Sequence, residues 1–403
     1  MTDSKHISPN ETLGKTDNES ISLAIAKAKE NGVNKVVIPK HNDRTDSDIW
    51  VIEDTVYLPS DIEIVIDNAH LRLADGVYCQ IFANSSVLCN EERTFENEQY
   101  NIRICGKGKA VLDGGNYNGL SERTSGKDGL PHIIKNTTIL FVNCRNITVE
   151  NISVINQRYW GMTNIFVRES AFRNIYVKAD WSRLADGVHY PDELPQNYDE
   201  IYVKNADGID LRVGCRDILI ENISGFAEDD MIALTALGGF EKRLGYYVTG
   251  KATDICNVKI RNISGDSACS LVRLLCNSGN KMHDIEIDGV SSVEFPDHAS
   301  AGKMPILVRV SDRRDRYVNS TPMEKGDMKN ITVRNLVSDA QYALTLYNDL
   351  ENITAENITA VSGNAIGCNT GDARLYGFRC RNVRCLGDGE ELCGDITVES
   401  FAE

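Results

Sequence analysis

From residue 101 onward one phrase keeps returning: a polar Asn or Asp, then alternating β-branched residues, then another Asn or Gly. It reads NIRICG at 101, NITVENISV at 146, NIYVKA at 174, DILIENISG at 217, NVKIRNISG at 257, DIEIDGV at 284, NITVRNLV at 330, NITAENITA at 352, NVRCLG at 382 and DITVES at 395. Successive starts lie 45, 28, 43, 40, 27, 46, 22, 30 and 13 residues apart. Several of these are near one or two units of about 22, the length of a solenoid repeat. Alternation with period two divides the side chains of a short strand between its two faces. Many such strands at this interval, with 31 Gly and many Asn at their ends, predict coils stacked on coils rather than a sandwich of hairpins. Each coil then lies about 4.8 Å above the last, and the inward Ile, Val and Leu fuse into one core.

The helical exception is ESISLAIAKAKEN, residues 19–31, with Ile21, Ala24, Ile25 and Ala28 at helical spacing and an Asn31-Gly32 stop. One helix at the start of a solenoid covers an open sheet edge that would otherwise invite pairing with another chain. The expected architecture is a single all-β domain over residues 1–403, a right-handed parallel β-helix. It comprises an N-terminal extension at 1–18, a capping helix at 19–31 and coils over 36–400, with a loop insertion at 179–200. Asn-Ile-Thr/Ser tripeptides at 146, 151, 222, 262, 330, 352 and 357 also match the N-glycosylation acceptor. The repeat accounts for them better, with Asn turning a corner in the left-handed region or joining a side-chain ladder.

Charge excludes some partners. The 403 residues carry 43 Lys and Arg against 59 Asp and Glu, a formal net charge of −16, which disfavours nucleic acid and anionic membranes. No run approaches the roughly 18 apolar residues of a bilayer span. Residues 1–15, MTDSKHISPNETLGK, show neither an apolar signal core nor a cleavage site, which implies a cytoplasmic protein or one whose secretory signal has been removed. The 12 Cys form no CxxC pair, so no zinc framework is expected. Many sit in alternating apolar runs and are read as reduced core thiols. Oligomeric state stays open, since exposed apolar faces of a solenoid can make dimers or trimers.

Two acidic clusters stand 22 residues apart: Asn205-Ala206-Asp207-Gly208-Ile209-Asp210 and Glu228-Asp229-Asp230-Met231-Ile232-Ala233-Leu234. One coil separates them, so they should share a face on adjacent rungs. Crowded, partly buried carboxylates raise one another's pKa and leave an acid beside a base, the division of labour that glycosidic hydrolysis needs.

These segments resemble glycoside hydrolase family 28, the polygalacturonases and their relatives, whose Asn-Thr-Asp-Gly-Ile-Asp and Asp-Asp-Cys-Ile-Ala-Ile-Lys blocks correspond to NADGID and DDMIAL. Gln157-Arg158-Tyr159-Trp160-Gly161 is similar to the family's Ser-Pro-x-Trp segment, and the likeness spans roughly residues 18 to 360. It implies that Asp229 is the general acid, that Asp207 and Asp230 activate the attacking water with inversion, and that no metal or cofactor is required. The substrate it implies is a pectin-derived or related oligosaccharide or polysaccharide.

Two departures accompany the likeness. The family's Gly-His-Gly falls where this chain reads Gly265-Asp266-Ser267-Ala268-Cys269-Ser270-Leu271-Val272-Arg273, without His, and its Arg-Ile-Lys corresponds to Arg309-Val310-Ser311. Arg273 and Arg309 are the cations expected to meet substrate, with Asn205 beside Asp207. Arg309, Arg313, Arg314 and Arg316 read either as a uronate-binding cluster or as a solvated loop interleaved with Asp312 and Asp315. The insertion DWSRLADGVHYPDELPQNYD places Trp181, His189 and Tyr190 to stack on or hydrogen-bond to a sugar and to close one end of a cleft. That favours an exo mode; a loop packing on its own aromatics is the other reading. Trp160 is expected to pack beneath the cleft. Three classes remain open: an inverting glycosidase, a Ca²⁺-dependent polysaccharide lyase, and a non-catalytic glycan-binding β-helix.

Overall fold

A computed structural model describes residues 5–89, 92–116, 118, 120, 133–179, 206–277, 279–294, 303–312 and 323–401. The chain is a parallel β-helix. Strands stack in register on strands of the next coil: Lys35–Pro39 on Ile62–Asp67, and that strand on Gln99–Lys107. Further on, Arg216–Ala227, Ile255–Ser267, Met282–Ser292, Met328–Ser338 and Asn348–Ala360 pair successively, all parallel. Alternate residues point inward, and one apolar cluster runs the length of the stack from Ile7 to Phe378.

Asparagine makes the corners. All seven Asn of the Asn-Ile-Thr/Ser tripeptides adopt φ between 53° and 59°, the left-handed region that Asn tolerates better than other side chains do. Their amides also bond up the stack. Asn174 donates to Asn151 at 2.9 Å, Asn222 to Asn174 at 2.8 Å and Asn262 to Asn222 at 3.2 Å. A second ladder joins Asn335, Asn357 and Asn382. Because the corners keep hydrogen bonding, strands run through them, as in the 17-residue Ile139–Ile155 and Met162–Lys178.

The capping helix is Asp17–Glu30, starting two residues before the expected segment. Thr16 sets the start, since its side chain accepts from the Glu19 N–H at 3.2 Å. The buried Asp17 carboxylate then docks the helix, accepting from Arg44 Nε and the Val51 N–H, both at 2.7 Å. All 12 cysteines are free; Cys79, Cys105, Cys144, Cys215, Cys276 and Cys368 are buried as core residues, and Cys380 is exposed. Among the described residues no helix is long and apolar enough to cross a membrane.

An outer column of the stack alternates in sign rung by rung: Glu150, Arg173, Glu221, Arg261, Asp288, Arg334, Glu356, Arg381. Ion pairs form along it, with Arg173–Glu221 at 2.9 Å, Arg334–Asp288 at 3.0 Å and Arg381–Glu356 at 2.8 Å. Like charges one rung apart repel, so the alternation favours the native stacking. Glu221→Arg makes three consecutive rungs cationic and is expected to lower the unfolding free energy by about 1 kcal/mol. Urea unfolding at low and high salt checks this, with the larger loss at low salt.

Candidate active site

The site lies on four stacked strands: Ile209–Leu211, Asp230–Ala236, Ser270–Cys276 and Ile306–Val310. Their inward residues, Ile209, Ile232, Val272 and Val308 on one column and Leu211, Leu234, Leu274 and Val310 on the next, belong to the core. The residues between must point the other way, and these are Asp210, Ala233, Arg273 and Arg309, one above another. A single alternating pattern thus both fills the core and lines up a polar column outside it.

The Ile209–Ile232 pairing is a 23-residue step, one more than the separation that links Asp207 to Asp229. Asp207 therefore meets Asp230: its Oδ1 accepts the Asp230 N–H at 2.9 Å, while the Gly208 N–H donates to the Asp230 carbonyl at 3.0 Å. Gly208 is required here by contact, since a Cβ at this position would lie 2.4 Å from the Met231 carbonyl oxygen. Glu228 ties the rungs together, accepting the Ala206 N–H at 3.0 Å. Asp229 differs from its neighbours in being half-buried, whereas Asp207, Asp210 and Asp230 are buried.

On the next rung Ser270 stands over Asp230 and its hydroxyl donates to Asp230 Oδ1. Arg273 donates to Asp230 Oδ2 at 3.1 Å and to Asp312 Oδ2 at 2.7 Å. Arg309 adds a longer bond to the same Asp312 oxygen, 3.4 Å. The solvated-loop reading therefore does not hold for Arg309 and Asp312, which are buried. Behind the acids Arg212 pairs with Glu241 at 2.6 Å and lies over the ring of Trp160, 4.7 Å from its centroid. Trp160 is buried and stacks on Tyr159. Asn205, Trp181, His189, Tyr190, Arg313, Arg314 and Arg316, together with nearly all of the insertion, lie outside the described residues.

Burial, and after it the charges of Asp210, Asp229 and Asp230, push the Asp207 carboxyl well above the usual carboxylate range. Burial does the same to Asp210, against the counteracting charge of Arg212. Neither Asp210 oxygen has a hydrogen-bond partner among the described residues, which leaves its ionised form poorly compensated. Asp207 and Asp210 therefore both favour the form that carries a proton, and they titrate as a unit. The folded protein binds this proton more tightly than the unfolded chain, so the pair's contribution to stability is complete below the usual value of 3.8. It is lost as pH rises through the higher folded value. Asp210→Asn, neutral throughout, is expected to match the wild type in acid and exceed it from neutral pH upward, which thermal unfolding over a pH series will show.

Asp229, Asp230 and Cys269 bring one ligand atom each within 4.8 Å of one another. This set does not suit Ca²⁺, which takes six to eight oxygens. Both Asp230 oxygens are already engaged by Ser270 and Arg273, and burial with the charges of Asp230 and Asp229 pushes the Cys269 thiol well up, away from the thiolate that binds metal. The residues that the sequence reading passed over are Asp210, Ser270 and Asp312. Period-two alternation from Arg309 and Arg273 was the available signal for Asp210; nothing local marked Asp312.

No family model matches the chain, and no curated protein sequence does. Its likenesses are structural. A polygalacturonase from Erwinia carotovora ssp. carotovora superimposes with a TM-score of 0.62 at 15% identity, covering 99% of both chains. PfbA, a surface adhesin of Streptococcus pneumoniae, gives 0.55 at 13% identity over 96% of this chain and 93% of the other. A family 28 exopolygalacturonase from Yersinia enterocolitica gives 0.58 at 12% identity over 99% of this chain and 79% of the other. At such identities the shared property is the fold, a parallel β-helix.

Proposed function

We propose that this protein hydrolyses an O-glycosidic bond of a pectin-derived or related oligosaccharide, with inversion at the anomeric carbon. The observation behind this reading is the sorting of four carboxyls on two adjacent rungs. Asp229 opens toward solvent, Asp230 is paired with Arg273, and burial holds Asp207 and Asp210 toward their protonated forms. Asp229 gives its proton to the leaving oxygen as the bond to the anomeric carbon breaks. Asp230, held by Ser270 and Arg273, takes a proton from the water whose oxygen forms the new bond, and Asp207 orients that carboxylate through the Asp230 N–H. An exo mode rests on the sequence of the insertion before the first acidic cluster, with its aromatic and acidic residues. The polygalacturonases among the structural likenesses support a glycan as substrate, and the adhesin keeps non-catalytic binding as the competing outcome.

The test is incubation with oligogalacturonides, rhamnogalacturonan fragments, galactans and arabinans in ¹⁸O-labelled water, with and without chelator, followed by mass spectrometry. One heavy oxygen per cleavage, unaffected by chelator, is the expected result. A dehydrated, unlabelled product would establish a lyase instead, and binding without turnover a lectin-like protein.

A further inference from the structure

Arg273 and Arg309 are register partners on adjacent rungs, so two cationic side chains leave backbones about 4.8 Å apart. Both are only 8% exposed. Like charges so close and so dry need an anion between them, and guanidinium forks bind carboxylates well. Next to the acidic trio, this is the place where the carboxylate of an acidic sugar would be captured. The chain fills it itself. Asp312 Oδ2 accepts from both guanidiniums, at 2.7 and 3.4 Å, and Asp312 is 4% exposed.

The backbone is arranged to deliver that carboxylate. Ser311, just past the strand Ile306–Val310, turns through φ 67°, a strained value for a residue with a Cβ. Its N–H is held by the Leu274 carbonyl at 2.8 Å. Asn348 pins the turn from the following coil, donating to Ser311 Oγ at 2.8 Å and to the Asp312 carbonyl. The turn thus folds Asp312 back over the arginine three residues before it.

We infer that Asp312 is an internal stand-in for a substrate carboxylate, and that the cleft beside Asp230 consequently takes a neutral sugar and rejects a uronate. Asp230 and Asp312 already pair with the two arginines, so a further carboxylate finds no uncompensated cation in this cluster. This deepens the proposed function, yet it concerns binding and can be read without turnover.

Titration calorimetry with trigalacturonate on wild type, Asp312→Asn and Asp312→Ala provides the test. The wild type is expected to bind only weakly. Asp312→Ala, which empties the anion position, should bind at least about ten-fold more tightly than wild type, the worth of one charge-assisted hydrogen bond. Arg309→Gln added to Asp312→Ala should remove the gain. Asp312→Asn keeps the side-chain shape and guards against misfolding of the alanine variant; it should show a smaller gain, with circular dichroism matching wild type. Equal trigalacturonate binding by wild type and variants, or no gain in either variant, overturns the inference. Failure to cleave any neutral glycan bears on the hydrolase reading alone, because the calorimetric comparison does not depend on catalysis.

Discussion

Asp229→Asn is expected to lower the rate of glycosidic cleavage by about 10²–10⁴-fold, the usual worth of a general acid, while leaving the fold intact. Asparagine keeps the shape but has no proton to give to the leaving oxygen. Asp229 is half-buried at the end of its coil, and its backbone carbonyl, which accepts from the Ser267 hydroxyl, is unchanged by the substitution. Unfolding by urea should therefore superimpose on the wild type. The rate loss should shrink toward none on substrates with an activated leaving group such as a nitrophenolate, which departs without protonation. An undiminished rate on natural oligosaccharide would remove Asp229 from the acid role and shift that role to a neighbouring carboxyl.

The largest effect on stability is expected from Arg273→Met. Arg273 bridges Asp230 and Asp312, and all three residues are buried. Methionine restores most of the volume but leaves two carboxylates without their shared cation. Removing one partner of a buried pair costs about 3–5 kcal/mol, most of it from the charge left uncompensated. Adding Asp230→Asn should recover part of that loss, since one of the stranded charges disappears. Urea denaturation of the single and double variants gives the coupling. A loss of less than about 1 kcal/mol in the single variant, the range of an exposed pair, would mean that water reaches this cluster freely.

The capping helix, the strand phase and the corners were legible because each is written in neighbouring residues. Ile21, Ala24, Ile25 and Ala28 are enough to define a helical face, and the structure moves the start two residues earlier, where the Thr16 side chain caps it, and ends the helix at Glu30 with Asn31 as its C-cap. The recurring Asn were readable as corners because a left-handed conformation is a property of a single residue. The alternating outer column from Glu150 to Arg381 was also present in the repeats, but its meaning appears only once the rungs are aligned. At the candidate site, Asp207, Asp229 and Asp230 were visible as clusters near one repeat apart. Asp210 was visible as a letter within its motif and not as a buried partner.

The sequence by itself determined which residues face inward, where the coils turn and which acids share a face, since periodicity and single-residue conformation are local. Stacking of the coils was needed to set the 23-residue register that places Asp207 against Asp230, the burial that raises the Asp207 and Asp210 carboxyls, and the return of Asp312 onto Arg273, 39 residues away. Those are matters of which charges meet across rungs and how much water is left between them. Neither is fixed until the coils stack.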